Sequence, residues 1–282
     1  MKEKELVCCA VSCEKPLDGS YWEAQYEAKK TGWDLGKVSP PIKTYIDTLA
    51  NTNARILIPG CGHSYEAEYL LEKGFTAITI IDIAPTLVAV LQEKFENNPE
   101  VQIILGDFFE HEGTYDVIIE QTFFCALPPI MRQKYAWKMH QLLATNGILV
   151  GLLFNRFFES GPPFGGSQKE YDRLFKSAFT SIKMEMATHS IAPRANSELF
   201  IELKKNDDKI VNLYRIEGIT CSSCSNNICD EIRTIESLID VSMSIDFTSI
   251  LLISAHEIAL ESLQQIISFD PKYTINQYKR LR

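Results

Sequence analysis

The chain has 282 residues, of which 45% are hydrophobic and 23% are charged, and its formal net charge is -9. Such a length fits one large domain together with a small one. The negative charge argues against nonspecific binding to nucleic acid or to an anionic membrane surface. No segment reaches the roughly 18–20 apolar residues that a membrane-spanning helix needs. We therefore expect a cytoplasmic protein.

Residues 55–203 alternate short β-branched runs with stretches of helical periodicity. Several runs are apolar on both faces, which is typical of strands covered by helices on both sides. The pattern predicts a doubly wound, Rossmann-like α/β domain whose ligand lies at the carboxyl ends of the strands. The predicted strands span residues 55–59, 77–82, 101–105, 115–120 and 147–154.

A polar segment at residues 204–209 separates this region from a different pattern. The residues that follow predict the order strand, helix, strand, strand, helix, strand within about 70 residues, which is the ferredoxin-like βαββαβ arrangement. We therefore predict a flexible tail at residues 1–16, a large domain at 17–205 and a small domain at 206–282.

A glycine turn, Gly60-Cys61-Gly62, follows the first predicted strand. Glycine lets the backbone turn tightly and approach a ligand, and the helix that follows offers unpaired N–H groups. Asp82 ends the second strand, 22 residues beyond Gly60. An acid in that position can accept hydrogen bonds from both hydroxyls of a ribose. The combination predicts an adenosine-type cofactor and leaves nicotinamide, flavin and S-adenosylmethionine open.

Two further observations favour S-adenosylmethionine. Tyr65 stands where the dinucleotide-binding fingerprint has its third glycine. Asp107 and Phe108 follow the third strand, where an acid and an aromatic ring can bind the adenine. The plainer alternative is that Asp82 and Asp107 only cap helices.

Short motifs across residues 18–203 resemble the thiopurine, halide and thiol S-methyltransferase family, and the plant-type halide and thiol enzymes resemble the chain most. The order and spacing of the motifs make the match specific. In chain order they are Tyr21-Trp22-Glu23, Thr31-Gly32-Trp33-Asp34-Leu35-Gly36, Ser39-Pro40, Pro59-Gly60-Cys61-Gly62, Asp107-Phe108-Phe109, Phe123-Phe124-Cys125-Ala126 and Gly161-Pro162-Pro163-Phe164.

The resemblance implies an S-adenosylmethionine-dependent methyltransferase whose N-terminal lid closes over the cofactor. Tyr26 stands where relatives often carry a further tryptophan, and Arg132 matches a family arginine near cofactor and substrate. The acceptor pocket would include Tyr26, Phe123 and Arg132. The implied cofactor contacts are Trp22, Tyr26, Trp33, Gly60, Asp82, Asp107, Phe108 and Glu120. Ordinary core packing is the alternative role for the two tryptophans.

The implied reaction is displacement of the sulfonium methyl by a soft anion such as a thiolate or iodide. This needs no strong general base, so catalysis can rest on alignment and exclusion of water. Aromatic walls shield such a centre and attract the sulfonium cation. No catalytic residue is assigned, because the histidines (His63, His111, His140, His189 and His256) are scattered without motif context. Cys125 is expected to be a small buried hydrophobe.

The loop Gly218-Ile219-Thr220-Cys221-Ser222-Ser223-Cys224 resembles that of the heavy-metal-associated domain of copper chaperones and metal-transporting ATPases. The resemblance spans residues 209–277 and departs from the family at Ile219, where methionine is common. Two thiolates at a helix N-terminus suit a soft cation such as Cu(I). Two ligands alone argue against structural zinc. A redox dithiol is the competing function, and Cys229 is expected to face the core.

A second group of thiols, Cys8, Cys9 and Cys13, lies in the predicted tail. Its density motivates the hypothesis that these residues add ligands to a shared metal site.

The leading hypothesis is a methyltransferase acting on a soft nucleophile (thiol, halide or metalloid species), fused to a soft-metal-binding domain and acting in detoxification. The alternative is a metal chaperone whose large domain is a non-catalytic scaffold that binds the cofactor. The expected partners are a small soft nucleophile and a soft metal, with neither nucleic acid nor a membrane.

Overall fold

The computed structural model of the protein describes residues 16–278. Its larger sheet has seven strands in the order β3-β2-β1-β4-β5-β7-β6. The first five pair in parallel, and β7 runs antiparallel to both β5 and β6. The strands are β1 (Ile56–Pro59), β2 (Ile78–Asp82), β3 (Val101–Leu105), β4 (Tyr115–Gln121), β5 (Leu143–Phe154), β6 (Phe179–Met186) and β7 (Glu198–Lys205).

The parallel half confirms the predicted Rossmann-like domain, but β6 and β7 were not predicted. Strand β6 is an edge strand whose side chains are mostly exposed, so it lacks the apolar run that marks a buried strand. Strand β7 ends at Lys205, inside the segment that the sequence predicted as a linker. The connection to the second sheet is therefore only residues 206–209.

Helices cover both faces of this sheet. Neighbouring residues of one strand, such as Leu57 and Ile58, enter different apolar clusters because side chains alternate across a strand. One cluster includes α2, α3 and α4, and the other includes α5 and α6. The helices are α1 (Gly19–Glu27), α2 (Pro40–Ile46), α3 (Tyr65–Glu72), α4 (Pro85–Lys94), α5 (Arg132–Leu142) and α6 (Gln168–Phe175).

The C-terminal residues form a second, antiparallel sheet in the order β11-β8-β10-β9. Helices α7 and α8 pack against one face of it through a separate apolar cluster. The element order along the chain is strand, helix, strand, strand, helix, strand. The elements are β8 (Ile210–Glu217), α7 (Ser222–Ile232), β9 (Leu238–Met243), β10 (Ser249–Ser254), α8 (Leu260–Ile267) and β11 (Thr274–Gln277).

The other face of the small sheet is buried against the large domain. Four of its side chains join the same apolar cluster as α5 and α6: Val211, Leu213, Leu251 and Ile253. Polar contacts border this interface, because Gln133 Nε2 donates to Ser242 Oγ at 2.8 Å and Ser177 Oγ donates to Asp240 Oδ2 at 2.6 Å. The two sheets therefore share one hydrophobic core. No helix within residues 16–278 is long and apolar enough to cross a membrane.

His140 on α5 lies beside the connection between the sheets. It is 4% exposed, and its Nε2 lies 3.3 Å from the carbonyl oxygen of Asn206. Its Nδ1 is buried without a hydrogen-bond partner. Burial lowers the pKa of His140 from its ordinary 6.5 to about 4. The folded protein therefore keeps this imidazole neutral in a range where the unfolded chain protonates it.

We expect His140→Gln to reduce the loss of stability on acidification. The unfolded chain binds a proton at this residue below pH 6.5, whereas the folded chain resists until about pH 4. Stability is therefore lost as pH falls through this window, by roughly 1–2 kcal/mol between pH 7 and pH 5. Urea unfolding of both proteins at the two pH values measures the difference. Equal losses in both proteins would contradict the prediction.

Candidate active site

A cavity of about 860 Å³ opens at the carboxyl ends of the parallel strands. Its walls come from the loops that follow β1 to β5, and its cover comes from α1 and the segment that leads to α2. This is where ligands bind in open α/β sheets, at the point where the strand order reverses between β1 and β4. Seven of the predicted cofactor residues line it: Trp22, Tyr26, Trp33, Gly60, Asp82, Asp107 and Phe108.

The glycine turn brings backbone close to the opposite wall. Gly60 and Gly62 have φ values of +54° and +52°, in the left-handed region that favours glycine. A Cβ atom on Gly60 would lie 2.2 Å from Cδ2 of Phe123. Only a residue without a side chain fits between this strand end and the loop after β4. The turn is therefore required for the shape of the cavity.

Asp82 stands beside this turn. Its Oδ2 accepts from the Gly62 N–H at 3.2 Å and its Oδ1 from the Ala84 N–H at 3.1 Å. The side chain is buried, and desolvation raises the pKa of Asp82 against the opposing effect of these backbone hydrogen bonds. Asp82 thus organises the loop after β1 and also lines the cavity. The Asp82 carboxylate therefore contacts the glycine turn, to which the sequence linked it by spacing.

Asp107, like Asp82, both forms local backbone hydrogen bonds and lines the cavity. It caps the short 3₁₀ helix Phe108–Glu110 by accepting from the Phe109 N–H at 2.8 Å. It also lines the cavity, next to the buried Phe108 ring. The capping role that the sequence offered as the plainer alternative is present here, together with access to the cavity.

The cover of the cavity is aromatic and half-buried. The Trp33 ring lies edge-on to Trp22 and to Tyr26, with centroid distances of 5.6 and 5.8 Å. The Glu23 carboxylate accepts from the Thr86 N–H at the start of α4, at 3.0 and 3.1 Å, which fixes α1 over the sheet. The Trp33 carbonyl accepts from Arg194 Nη2 at 2.8 Å. The lid is therefore anchored at both of its ends.

Glu120 does not line the cavity, contrary to the sequence-based expectation. It is 0% exposed, and its carboxylate accepts from the N–H groups of Phe123 and Phe124, both at 2.9 Å, and from the Tyr135 hydroxyl at 2.8 Å. Desolvation raises the pKa of Glu120 to about 7. Glu120 therefore shapes the wall from behind, while Phe123 itself faces the cavity.

Arg132 also lies away from the cavity. Its guanidinium pairs with the Glu170 carboxylate, donates to the Gly165 carbonyl at 2.6 Å and lies over the Phe124 ring. Arg132 thus holds α5 to α6 and to the loop before it, and it does not line the cavity. Arg194, which the sequence reasoning missed, is the buried arginine that lines it.

Charges that lie beyond the strand ends are divided along the cavity. Acidic side chains, including Glu66, Asp82 and Asp107, lie at or after the ends of β1, β2 and β3, whereas Arg156 and Arg194 lie between β5 and β7. The lid adds charges of both signs, from Asp18, Lys30, Asp34 and Lys37. The sheet order places these strands at opposite sides of β4. The acids are thus on one side of β4, and the arginines are on the other side. The strand-end rule that located Asp82 could not find Arg194, because β7 was not predicted.

Two further side chains in the cavity lacked any motif. His63 follows the glycine turn, and its Nε2 lies 3.5 Å from Asp34 Oδ2. Gln121 ends β4 and also lines the cavity. Cys125 fits the expected buried role, because its Sγ contacts the Thr122 carbonyl at 3.1 Å and burial raises the pKa of its thiol.

The second predicted site lies at the start of α7. Cys221 caps this helix, with its Sγ accepting from the Cys224 N–H at 3.4 Å, and the two sulfur atoms are 2.8 Å apart. The hydrogen bond with the Cys224 thiol, then that with Ser223, lowers the pKa of Cys221 to about 7. Cys229 is buried in the small-domain core. Within residues 16–278, no group of three or more His, Cys, Asp or Glu could hold a metal ion.

The cysteines at positions 8, 9 and 13 lie outside the described residues. The hypothesis that they join the metal site therefore stays a hypothesis.

Solved structures with the same fold bind S-adenosylhomocysteine, the demethylated form of the expected cofactor. The chain superposes with a TM-score of 0.55 on the Burkholderia thailandensis 1,6-didemethyltoxoflavin-N1-methyltransferase with bound S-adenosylhomocysteine, at 18% identity, covering 67% of this chain and 87% of that one. Magnesium protoporphyrin IX methyltransferase from Synechocystis, also with bound S-adenosylhomocysteine, gives a TM-score of 0.52 at 13% identity, covering 66% and 97%. The fold is that of the S-adenosylmethionine-dependent methyltransferases.

Sequence comparison identifies the family within this class of methyltransferases. Residues 17–215 match the family model of thiopurine S-methyltransferase. The chain is 33% identical over 192 residues to "Probable thiol methyltransferase 2" of Arabidopsis thaliana, covering 66% of this chain and 84% of that one. It is 27% identical to "Thiocyanate methyltransferase 1" of the same plant (70% and 89%) and to the thiopurine S-methyltransferase of Acinetobacter baylyi (58% and 86%). The chain belongs to the thiopurine S-methyltransferase family and is an S-adenosylmethionine-dependent methyltransferase.

We expect Asp82→Asn to weaken S-adenosylhomocysteine binding about 10–100-fold, because hydrogen bonds to a charged acceptor each contribute roughly 1.5–3 kcal/mol. Isothermal titration calorimetry measures the affinity. Asp116→Asn is the matched control, since Asp116 is an exposed carboxylate paired with Arg55 and does not line the cavity. Unchanged affinity in a folded Asp82→Asn protein would mean that Asp82 only organises the loop.

Proposed function

We propose that the protein transfers the methyl group of S-adenosylmethionine to a small, soft, anionic nucleophile, with a thiolate or thiocyanate as the first candidates. The observation that carries this proposal is the division of charge in the cavity. Acids lie at the ends of β1, β2 and β3, on the side of β4 that we assign to the cofactor's adenosine, and Arg156 and Arg194 lie on the other side. An acceptor that meets two guanidinium groups there is favoured when it is an anion.

The geometry of the arginines supports an acceptor role. Arg194 is 9% exposed, and its carboxylate partner, Glu198, lies at 3.5 Å, a long distance for an ion pair. Its guanidinium also lies over the Phe154 ring at 5.7 Å. Arg156 stacks on Phe158 at 4.7 Å at the exposed rim. These cation–aromatic pairs combine positive charge with a soft, apolar wall, which suits a polarizable anion better than a strongly hydrated one.

The chemistry places few demands on proton transfer. When bound, S-adenosylmethionine supplies a methyl group on a positively charged sulfur. A thiolate that takes this methyl becomes a neutral thioether, and the C–S bonding pair stays on the departing sulfur, so both charges vanish and no proton moves. The lid and the buried strand ends then act by holding the acceptor in line and keeping water out. The names of the thiol and thiocyanate methyltransferase relatives agree with such an acceptor.

We expect the purified protein to methylate a panel that holds organic thiols, thiocyanate and iodide, with labelled S-adenosylmethionine as the donor. Arg194→Met should lower kcat/KM for anionic acceptors about 10–100-fold, because a buried charge-assisted contact is lost. Arg173→Met, on the exposed side of α6, serves as a control for the loss of one surface arginine. Equal turnover by the Arg194 variant and the wild type would show that this arginine does not bind the methyl acceptor.

We also propose that residues 206–278 form a ferredoxin-like, heavy-metal-associated domain in which Cys221 and Cys224 hold a soft cation. The donor set fits Cu(I), since both ligands are thiols at a helix N-terminus and Cys221 is partly ionised near neutral pH. Tyr273 forms a hydrogen bond with Cys224, which raises the pKa of the phenol. A dithiol carried on the same chain as a methyltransferase domain supports a role in the detoxification of soft metals or metalloids.

We expect one Cu(I) per chain to bind in anaerobic competition with a chromophoric chelator. Replacing both Cys221 and Cys224 by serine should weaken binding at least about 100-fold, because serine is a hard and neutral ligand. Cys229→Ser is the matched control, since Cys229 lies in the same helix and faces the core. A further variant, in which serine replaces Cys8, Cys9 and Cys13, tests whether these residues add ligands to the site. Binding that survives in the Cys221/Cys224 variant would show that the ligands lie elsewhere.

A further inference from the structure

The last residues of β4 and the loop after it form the part of the cavity wall that touches the glycine turn. Phe123 lies directly against Gly60, and Gln121 lies two residues earlier at the carboxyl end of the strand. Gln121 thus occupies the middle of the strand order, between the acidic and the arginine-bearing sides of the cavity. The two differently charged sides of the cavity meet at this position.

Hydrogen bonds occupy the other polar side chains of this segment. Glu120 accepts two backbone N–H groups and the Tyr135 hydroxyl. The Thr122 hydroxyl donates to the Gln121 carbonyl at 2.6 Å, and the Cys125 thiol donates to the Thr122 carbonyl at 3.1 Å. Within residues 120–125, Gln121 is the one polar side chain to which the structure gives no hydrogen-bond partner.

The amide of Gln121 has two different ends. Its Oε1 is buried without a partner, which is a costly arrangement of roughly 1–3 kcal/mol. Its Nε2 makes no hydrogen bond within residues 16–278 and is accessible to solvent. The residue lines the cavity. With the amide oriented as in this structure, the accessible end is therefore an N–H donor that has no acceptor within residues 16–278.

The backbone around Gln121 is held in an unusual conformation. Thr122 has a φ of +62°, in the left-handed region that a β-branched residue rarely adopts. Such strain persists where the surroundings enforce it, and it clusters at functional sites. Here the Glu120 carboxylate enforces it, by fixing the Phe123 and Phe124 N–H groups on the far side of Thr122. The direction of the Gln121 side chain is therefore set by a rigid frame.

We propose that Gln121 positions the methyl acceptor by donating an N–H hydrogen bond to it, and that this favours small soft anions. The inference rests on the proposed function and names the group that aligns the nucleophile. A neutral amide directs a thiolate or thiocyanate without neutralising its charge, so the anion remains a good nucleophile. The arginines attract the anion into the cavity, and the Gln121 N–H group orients it.

The test compares Gln121→Leu and Gln121→Glu with Gln102→Leu, a matched change at an exposed glutamine on β3. For thiolate and thiocyanate acceptors, Gln121→Leu should lower kcat/KM roughly 10-fold, the loss of one hydrogen bond to a charged group. Gln121→Glu should lower it further, because a carboxylate repels the anion. The S-adenosylhomocysteine affinity should stay unchanged in both variants, which a merely structural role of Gln121 would not allow.

Equilibrium dialysis of labelled thiocyanate against protein saturated with S-adenosylhomocysteine gives a second readout that does not need turnover. We expect weaker thiocyanate binding in both Gln121 variants and wild-type binding in Gln102→Leu. Equal kcat/KM and equal thiocyanate binding in Gln121→Leu would overturn the inference, as would a loss of cofactor affinity alone. A wild-type protein that binds thiocyanate but methylates no acceptor contradicts the proposed function, and the dialysis still decides the role of Gln121.

Discussion

The buried carboxylate of Glu120 joins the three parts of the molecule on which the site depends. It lies one residue before the end of the central strand β4, fixes the backbone of the cavity wall at Phe123 and Phe124, and accepts from Tyr135 on α5. A carboxyl group with 0% exposure has no water to bind, so each of these donors is needed to offset its burial. Removing one donor leaves a buried polar oxygen unpaired, at a cost of roughly 1–3 kcal/mol. The sheet, the cavity wall and α5 are therefore stabilised together.

Helix α5 extends this connection to the second sheet. Tyr135 faces the large core, whereas Gln133 and Trp137 contact the small domain. Lys134 lies between two rings, with its Nζ 4.4 Å from the centroid of Phe109 and 5.0 Å from that of Tyr278. Phe109 lines the cavity, and Tyr278 follows β11. The cavity wall and the small sheet are thus separated by a single layer of side chains.

The sequence predicted the parallel strands well, because buried strands such as β1 and β2 carry continuous apolar runs. The bounds of β3 match the predicted ones. It located Asp82 and Asp107 through the general rule that ligands gather at strand ends. It failed for β6 and β7, whose exposed or alternating side chains resemble a polar connection. Because β7 was not predicted, Arg194 was not recognised as a cavity residue. Its position depends on the pairing of β7, which it precedes.

Other differences arose from contacts that no local pattern contains. A strand-end acid such as Glu120 looks like a ligand residue in the sequence, and only the fold shows that Tyr135 and two backbone N–H groups use its oxygens. Arg132 is similar, because its partner Glu170 is 38 residues away. His63 and Gln121 carry no motif, and their place in the cavity follows from the turn and the strand that precede them.

The shared core has a consequence for how such a fused chain can change over time. Val211, Leu213, Leu251 and Ile253 pack on apolar side chains of the large domain, so each half forms part of the other's interior. A family member without the second sheet has to present a water-compatible surface on the corresponding face of α5. Gain or loss of the small sheet therefore requires coordinated substitutions on both sides of the boundary. In this chain the two halves therefore share an interior rather than packing as separate modules.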